Sequence, residues 1–129
     1  MTQKAYTEDV LRLARENENF RQVLFTTERS QLVLMSLKPG EEIGEEVHEG
    51  IDQVLAFASG EGEAVIEGEH SPVRPGTVVV VPSGTRHNFV NTGSTPLKLV
   101  TVYTPPEHPD GTVHRTKQEA DEYEQEHHH

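Results

Sequence analysis

Glu46, His48, Gln53 and His87 are the residues of this 129-residue chain whose types and spacing could do chemistry. Two imidazoles and a carboxylate form a donor set for a divalent transition metal that leaves positions open for water or a small molecule. An amide is a poorer donor, so Gln53 is expected either as a fourth ligand or as the holder of a metal-bound water. The set suits iron with oxygen chemistry; zinc, manganese, cobalt or nickel would instead polarise a carbonyl or hydroxyl.

These side chains can meet only if strands carry them. Alternate strand residues share a face, so on a strand over 44–49 Glu46 and His48 point the same way, about 6.6 Å apart, and Glu45 and Val47 point away. A short turn at Glu49 and Gly50 leads into a strand over 51–58. One face of that strand is Ile51, Gln53, Leu55 and Phe57, which sets Gln53 near the first pair. A bulge that shifts the register would substitute Glu45 or Glu49 for Glu46. Further along, Gly76-Thr-Val-Val-Val-Val-Pro82-Ser-Gly84-Thr-Arg-His87-Asn-Phe-Val-Asn91 reads as an apolar strand, a turn and a returning strand. Pro82 ends the first because it has no N–H to give a ladder, and His87, Phe89 and Asn91 share a side of the second.

In this framework the chain resembles the cupin superfamily. The second motif of that family, G-x5-P-x-G-x2-H-x3-N, is met at Gly76, Pro82, Gly84, His87 and Asn91. The first, G-x5-H-x-H-x3-4-E-x6-G, is met at Gly40, His48 and Gly60, with Glu46 in place of the first histidine and Gln53 in place of the acid. The resemblance covers residues 40–91. It implies an all-β fold, a cupin-type barrel or jelly roll (a double-stranded β-helix), here with a short helix at each end. It also implies one divalent metal ion per chain, with Glu46, His48, Gln53 and His87 as the metal residues.

Composition agrees with a small domain built on one core, which would bury roughly two-thirds of the surface of the unfolded chain. Twenty-two acidic residues against eleven basic ones give a net charge of −11. No basic run can track a phosphate backbone, so neither nucleic acid nor an anionic membrane is expected as a partner. Without cysteine there is no disulfide, thiolate metal site or cysteine nucleophile. No apolar stretch has the length of a signal core or a membrane span, and a cytoplasmic location is the default expectation.

Three segments are expected: 1–19 helical, 20–104 the barrel, and 105–129 a loop, a short helix and a histidine-rich end. Thr7 can cap the first helix, Tyr6 can staple against Leu11, and Val10, Leu13 and Ala14 make its apolar stripe. Strands are expected at 20–27, 31–37, 44–49, 51–58, 62–68, 77–81, 85–91 and 97–104, with turns that include Gly68-Glu-His-Ser-Pro72. Thr116 and Glu119 have the spacing of a capping box. His127, His128 and His129 are either the remainder of a purification tag or a natural end and are set aside. Leu32 and Leu34 oppose Val33 and Met35, and Val78 and Val80 oppose Val79 and Val81, so some strands are apolar on both faces and a homodimer is expected.

Further candidates are catalytic rather than metal-binding. Tyr103 ends a strand, and His108 and His114 follow in a loop that could close over the barrel mouth and carry a proton. Asn88 and Asn91 read as turn or ladder residues, and His70 as an exposed turn residue. Arg21, Arg74 and Lys98 are candidate partners for a substrate anion, whereas the parity of Arg86 turns it away from His87. The expected function is that of a metal-dependent dioxygenase or isomerase acting on a small, anionic or enolisable molecule. The alternative is a noncatalytic binding or sensing module in which the metal anchors a ligand or stabilises the barrel. The stand-alone length favours the enzyme, because a regulator would usually carry an output domain.

Overall fold

A computed structural model describes residues 5–127, with the side chain of His127 left out; His128 and His129 lie outside the described residues. The elements are α1 (Val10–Glu16), β1 (Arg21–Thr26), β2 (Gln31–Leu37), β3 (Asp52–Ser59), β4 (Gly62–Ile66), β5 (Glu69–Val73), β6 (Val78–Val81), β7 (His87–Val90), β8 (Leu97–Thr104), β9 (Val113–His114) and α2 (Lys117–His127). Among the described residues a six-stranded sheet runs β6-β3-β8-β2-β1-β9 and faces a three-stranded sheet β5-β4-β7. All the pairings are antiparallel. Their inner faces meet in a core that includes Val33, Met35, Leu55, Phe57, Phe89 and Leu99, each at most 1% exposed.

The register explains why polar groups gather at one end of that core. Tyr103 on β8 lies opposite both Gln31 on β2 and Gln53 on β3, which makes a polar row across the inner face of the large sheet. All three side chains are buried. The next inner row, Val33, Thr101 and Leu55, is more apolar, and its threonine hydroxyl holds the Gln53 amide at 3.0 Å.

Several expected elements differ. Residues 44–49 form no regular strand; the isolated bridge Glu46–His87 and a bond from Gly44 N to Asn88 Oδ1 tie this segment to β7, with a further bridge Glu42–Val90 just before it. Gly44, at φ +114°, and Gly50, at φ +79°, bracket it with backbone that a strand cannot use. Glu-His-Ser-Pro is not a turn but lies within β5, because the turn at Glu67 and Gly68, both at positive φ, folds it straight back onto β4. Asp9 rather than Thr7 caps α1, its carboxylate accepting from Arg12 N at 3.2 Å. Tyr6 stacks on Phe25 at 5.3 Å instead of on Leu11, which is exposed.

The expected stripe of α1 is present, and Ala14 packs with Leu34 and Val100 on the outer face of the large sheet. Part of the second apolar face is therefore covered within the chain itself. Val78 and Val80 on the edge strand β6 stay 58% and 63% exposed. At the other end Thr116 Oγ1 accepts from Glu119 N, as the capping-box spacing predicts. Although polar, α2 docks through Ala120, 2% exposed, and through Tyr123, whose ring meets His114 at 5.1 Å. No helix of the described residues is long and apolar enough to cross a membrane.

Candidate metal centre

The turn after β6 is where the site begins. Pro82 stops the strand, Gly84 adopts φ +80°, and the chain returns as β7 with His87 at its first position. His87 is 2% exposed, and its backbone exchanges both hydrogen bonds with Glu46, each 2.9 Å long. That double bridge holds Glu46 beside the histidine although no strand carries it. The imidazole Nδ1–H of His87 donates to Thr85 O at 2.8 Å, which fixes the tautomer and leaves the Nε2 lone pair free.

His48 joins this pair two residues after Glu46. Its ring lies 5.2 Å from that of His87, and its Nε2 is 3.5 Å from Glu46 Oε1. One ligand atom from each of Glu46, His48 and His87 lies within 4.8 Å of the others. Nε2 of His48, Nε2 of His87 and Oε1 of Gln53 are all buried without a hydrogen-bond partner. Buried polar atoms are rarely left unpaired, and these have the chemistry of metal donors. Two neutral imidazoles, a carboxylate and an amide oxygen therefore fit a divalent transition metal. The Glu46 carboxylate draws the His48 pKa up against the opposing effect of burial. Glu45 instead faces Arg86 on the surface at 3.8 Å, and the Glu49 carboxylate lies by Gly84, so Glu46 is the acid that faces in.

The C-terminal segment closes over this cluster. Gln31, 1% exposed, donates from Nε2 to His108 O at 2.7 Å and accepts at Oε1 from His108 N at 3.0 Å and Glu107 N at 3.3 Å. This clamp sets Glu107 Oε2 3.6 Å from His48 Nδ1. Tyr103 meets His48 edge-on at 6.1 Å and His108 at 5.2 Å. Burial pushes the Tyr103 phenol up, and it raises the Glu107 carboxyl as well, with His48 opposing. Of the sequence candidates, Tyr103 and His108 thus reach the mouth of the cluster. His114 does not: it lies behind Arg21, whose Nη1 is 3.2 Å from its Nδ1, and burial pulls its pKa down.

Outside the site, Arg74 is exposed and Lys98 donates to Asn17 O at the end of α1. His70 is exposed and faces Glu63 at 3.2 Å. Sequence reasoning missed Gln31, Glu107 and also Glu124, which lines the same opening as His48 and Glu107. Gln31 carried a signal, being an amide on the same strand face as Val33, Met35 and Leu37.

Burial first, and then Arg21, pulls the His108 pKa from 6.5 down to about 3. The folded chain keeps this ring neutral where the unfolded chain protonates it. Between about pH 6.5 and about pH 3 the unfolded state therefore binds more protons, so stability falls as the pH falls. His108→Gln should remove that loss, making metal-free wild type lose about 2 kcal/mol more than the variant between about pH 7.5 and about pH 5. Urea unfolding at the two pH values measures it; parallel losses would contradict the burial of His108.

Residues 33–103 match the family described as the cupin domain, Cupin_2. The chain belongs to the cupin family. This cupin is 43% identical to the Bacillus subtilis protein YrkC over 124 residues, which is 91% of this chain and 66% of YrkC. The crystal structure of BH2720 from Bacillus halodurans superposes with a TM-score of 0.90 at 36% identity, covering 92% of this cupin and 95% of that chain. A Thermotoga maritima protein described as a predicted oxalate decarboxylase superposes at 0.58 with 30% identity, over 61% of this cupin and 69% of that chain. The antiparallel barrel expected from the motifs is present, and so are the short helices expected at either end of it.

Proposed function

We propose that this cupin binds one divalent transition metal through Glu46, His48 and His87, with Gln53 as a fourth donor. In this reading it is an enzyme that acts on a small anionic or enolisable molecule by metal-dependent oxygenation or isomerisation. The observation that carries the reading is the set of buried donor atoms without a hydrogen bond, Nε2 of His87 and Oε1 of Gln53, together with His48 Nε2, whose contact is the Glu46 carboxylate at 3.5 Å. The name of the Thermotoga relative, which points to chemistry on a small acid, agrees with it.

A bound divalent ion would supply Lewis acidity and lower the pKa of a coordinated water towards about 7. The protein's own share is positioning. Thr85 and Thr101 hold the His87 ring and the Gln53 amide with their donor atoms turned inward. Glu46 is the single carboxylate of the donor set, so a divalent ion there keeps net positive charge for an anionic ligand. Buried Tyr103 and the clamped 107–108 segment form one wall beside the cluster. His108, neutral at working pH, offers an imidazole Nε2 at that wall.

The test is elemental analysis of protein purified without a nickel column, because a histidine-rich end would carry metal of its own. About one iron, zinc, manganese or nickel per chain is expected. Oxygen uptake with chelating acids and isomerase assays should then show turnover that a chelator abolishes and the same metal restores. Metal-dependent thermal stability with no turnover in either assay would favour the binding module. No metal at all, even after divalent ions are supplied, would defeat the proposal.

A further inference from the structure

Arg21 opens β1 and points into the barrel end, 5% exposed, whereas every other arginine among the described residues is exposed. Its guanidinium is stacked 5.3 Å from the Phe20 ring centre, and Nη1 donates to His114 Nδ1 at 3.2 Å. His114 is itself held between β1, through β9, and the Tyr123 ring. Nε is buried without any partner. None of the ion pairs among the described residues involves Arg21. A guanidinium cannot shed its charge, and burying one without a direct ion pair is costly. Glu107 acts on it only at a distance, so the buried Nε–H lacks an acceptor.

Space for one adjoins it. A chamber of about 250 Å³ is lined by Arg21 together with Glu46, His48, Tyr103, Glu107 and His108. It is smaller than the roughly 300–1,000 Å³ that drug-sized ligands occupy. His108 Nε2, also buried and unpartnered, faces the same need for a polar ligand atom. The edge of a guanidinium that carries Nε presents parallel N–H bonds that match the two oxygens of a carboxylate. Glu107 and Glu124 also line the chamber, so a second negative charge there needs a cation of its own, which a metal would supply at the far end of a dicarboxylate, whereas a compact phosphate sets both of its charges against the one arginine.

We propose that Arg21 anchors the carboxylate of a small organic acid whose other end reaches the Glu46, His48 and His87 cluster. The far end of this ligand rests on the metal reading above; the Arg21 end does not. The acid is short, because a chamber of about 250 Å³ holds both Arg21 and the Glu46 and His48 end of the cluster in its lining.

Calorimetric titration of malonate, its neutral isostere malonamide, and inorganic phosphate into wild type, Arg21→Gln and Arg21→Lys tests this. Each protein is used zinc-loaded and metal-free, with zinc content measured in parallel and circular dichroism to check folding. Zinc-loaded wild type should bind malonate and bind malonamide far more weakly. Arg21→Gln should weaken malonate roughly 10- to 100-fold, the loss expected for a charge-assisted hydrogen-bonded pair. Arg21→Lys should fall between, since it keeps the charge without the fork, and zinc content should be the same in all three. Equal malonate affinity in wild type and Arg21→Gln overturns the proposal, as does phosphate binding at least as tightly as malonate, or no malonate binding by zinc-loaded wild type. If wild type takes up no zinc, the metal reading fails separately, and the metal-free titrations still decide whether malonate binding depends on Arg21.

Discussion

Replacing His87 by alanine is expected to strip the site of metal while leaving the barrel folded. The backbone of His87 makes the double bridge to Glu46, and those bonds survive loss of the side chain. What disappears is an imidazole whose Nε2 is already turned inward by the Nδ1 bond to Thr85. Removing the outer partner of a ligand commonly weakens metal binding 10- to 100-fold, so removing the ligand itself should cost at least about 100-fold. After dialysis, His87→Ala should hold well under a tenth of the wild-type metal, at roughly 1–3 kcal/mol cost in metal-free stability from the cavity left beside Phe89. Gln53→Leu should keep more metal, because a neutral amide is the weakest of the four donors. Elemental analysis and urea unfolding of both variants give the two numbers. Wild-type metal content in His87→Ala would place the ion elsewhere and remove the centre described above.

That site was legible in the sequence where local rules governed it. Strand parity brought Gln53 onto the inner face with Leu55 and Phe57, and all three are buried. The Pro82 to Gly84 turn carried His87 back, as proline and glycine chemistry requires. The alternation of the acidic segment 44–49 predicts a strand, yet the segment is joined to β7 by a single bridge, Glu46–His87, and Glu46 faces inward because of it. The β5 strand was hidden by residues of poor strand propensity; pairing with β4 outweighs that preference. A loop after β8 that closes over the mouth is among the expectations, but the pairing of the residues that clamp it carries no local sign. Gln31 meets His108 across 77 positions and Arg21 meets His114 across 93, and such contacts follow from the fold and not from any periodicity. Even so, Arg21 and Gln31 were visible as polar residues on apolar strand faces, and polar residues in such places mark where a fold departs from its simplest solution for a purpose.

Asn91 is where the same motif serves stability, and Asn91→Ala is expected to be among the most destabilising changes outside the apolar core. The side chain is 1% exposed. Nδ2 donates to Leu37 O and to Thr95 O, both at 2.9 Å, and Oδ1 accepts from Gly93 N at 2.9 Å. Its backbone also pairs with Gly40 and Glu41, so one residue joins the end of β2, the start of the segment that bears Glu46, and the turn into β8. Alanine would leave two carbonyls and one N–H without partners, at about 1–3 kcal/mol for each that stays buried and dry. Allowing for water at part of the turn, a loss of about 3–5 kcal/mol is expected, a large share of the roughly 5–15 kcal/mol that holds a domain of this kind together. Asn91→Asp separates hydrogen bonding from shape. It keeps the volume but sets a carboxylate oxygen against two carbonyl oxygens, so near neutral pH it should cost more than alanine does. Burial among those oxygens raises the pKa of the introduced carboxyl, and protonation restores one donor, so the deficit should shrink as the pH falls. Urea unfolding near pH 7 and near pH 4.5 reads both effects. A loss below about 1 kcal/mol in Asn91→Ala would mean that water replaces all of these bonds, and the motif asparagine would then be a turn former and not a pin.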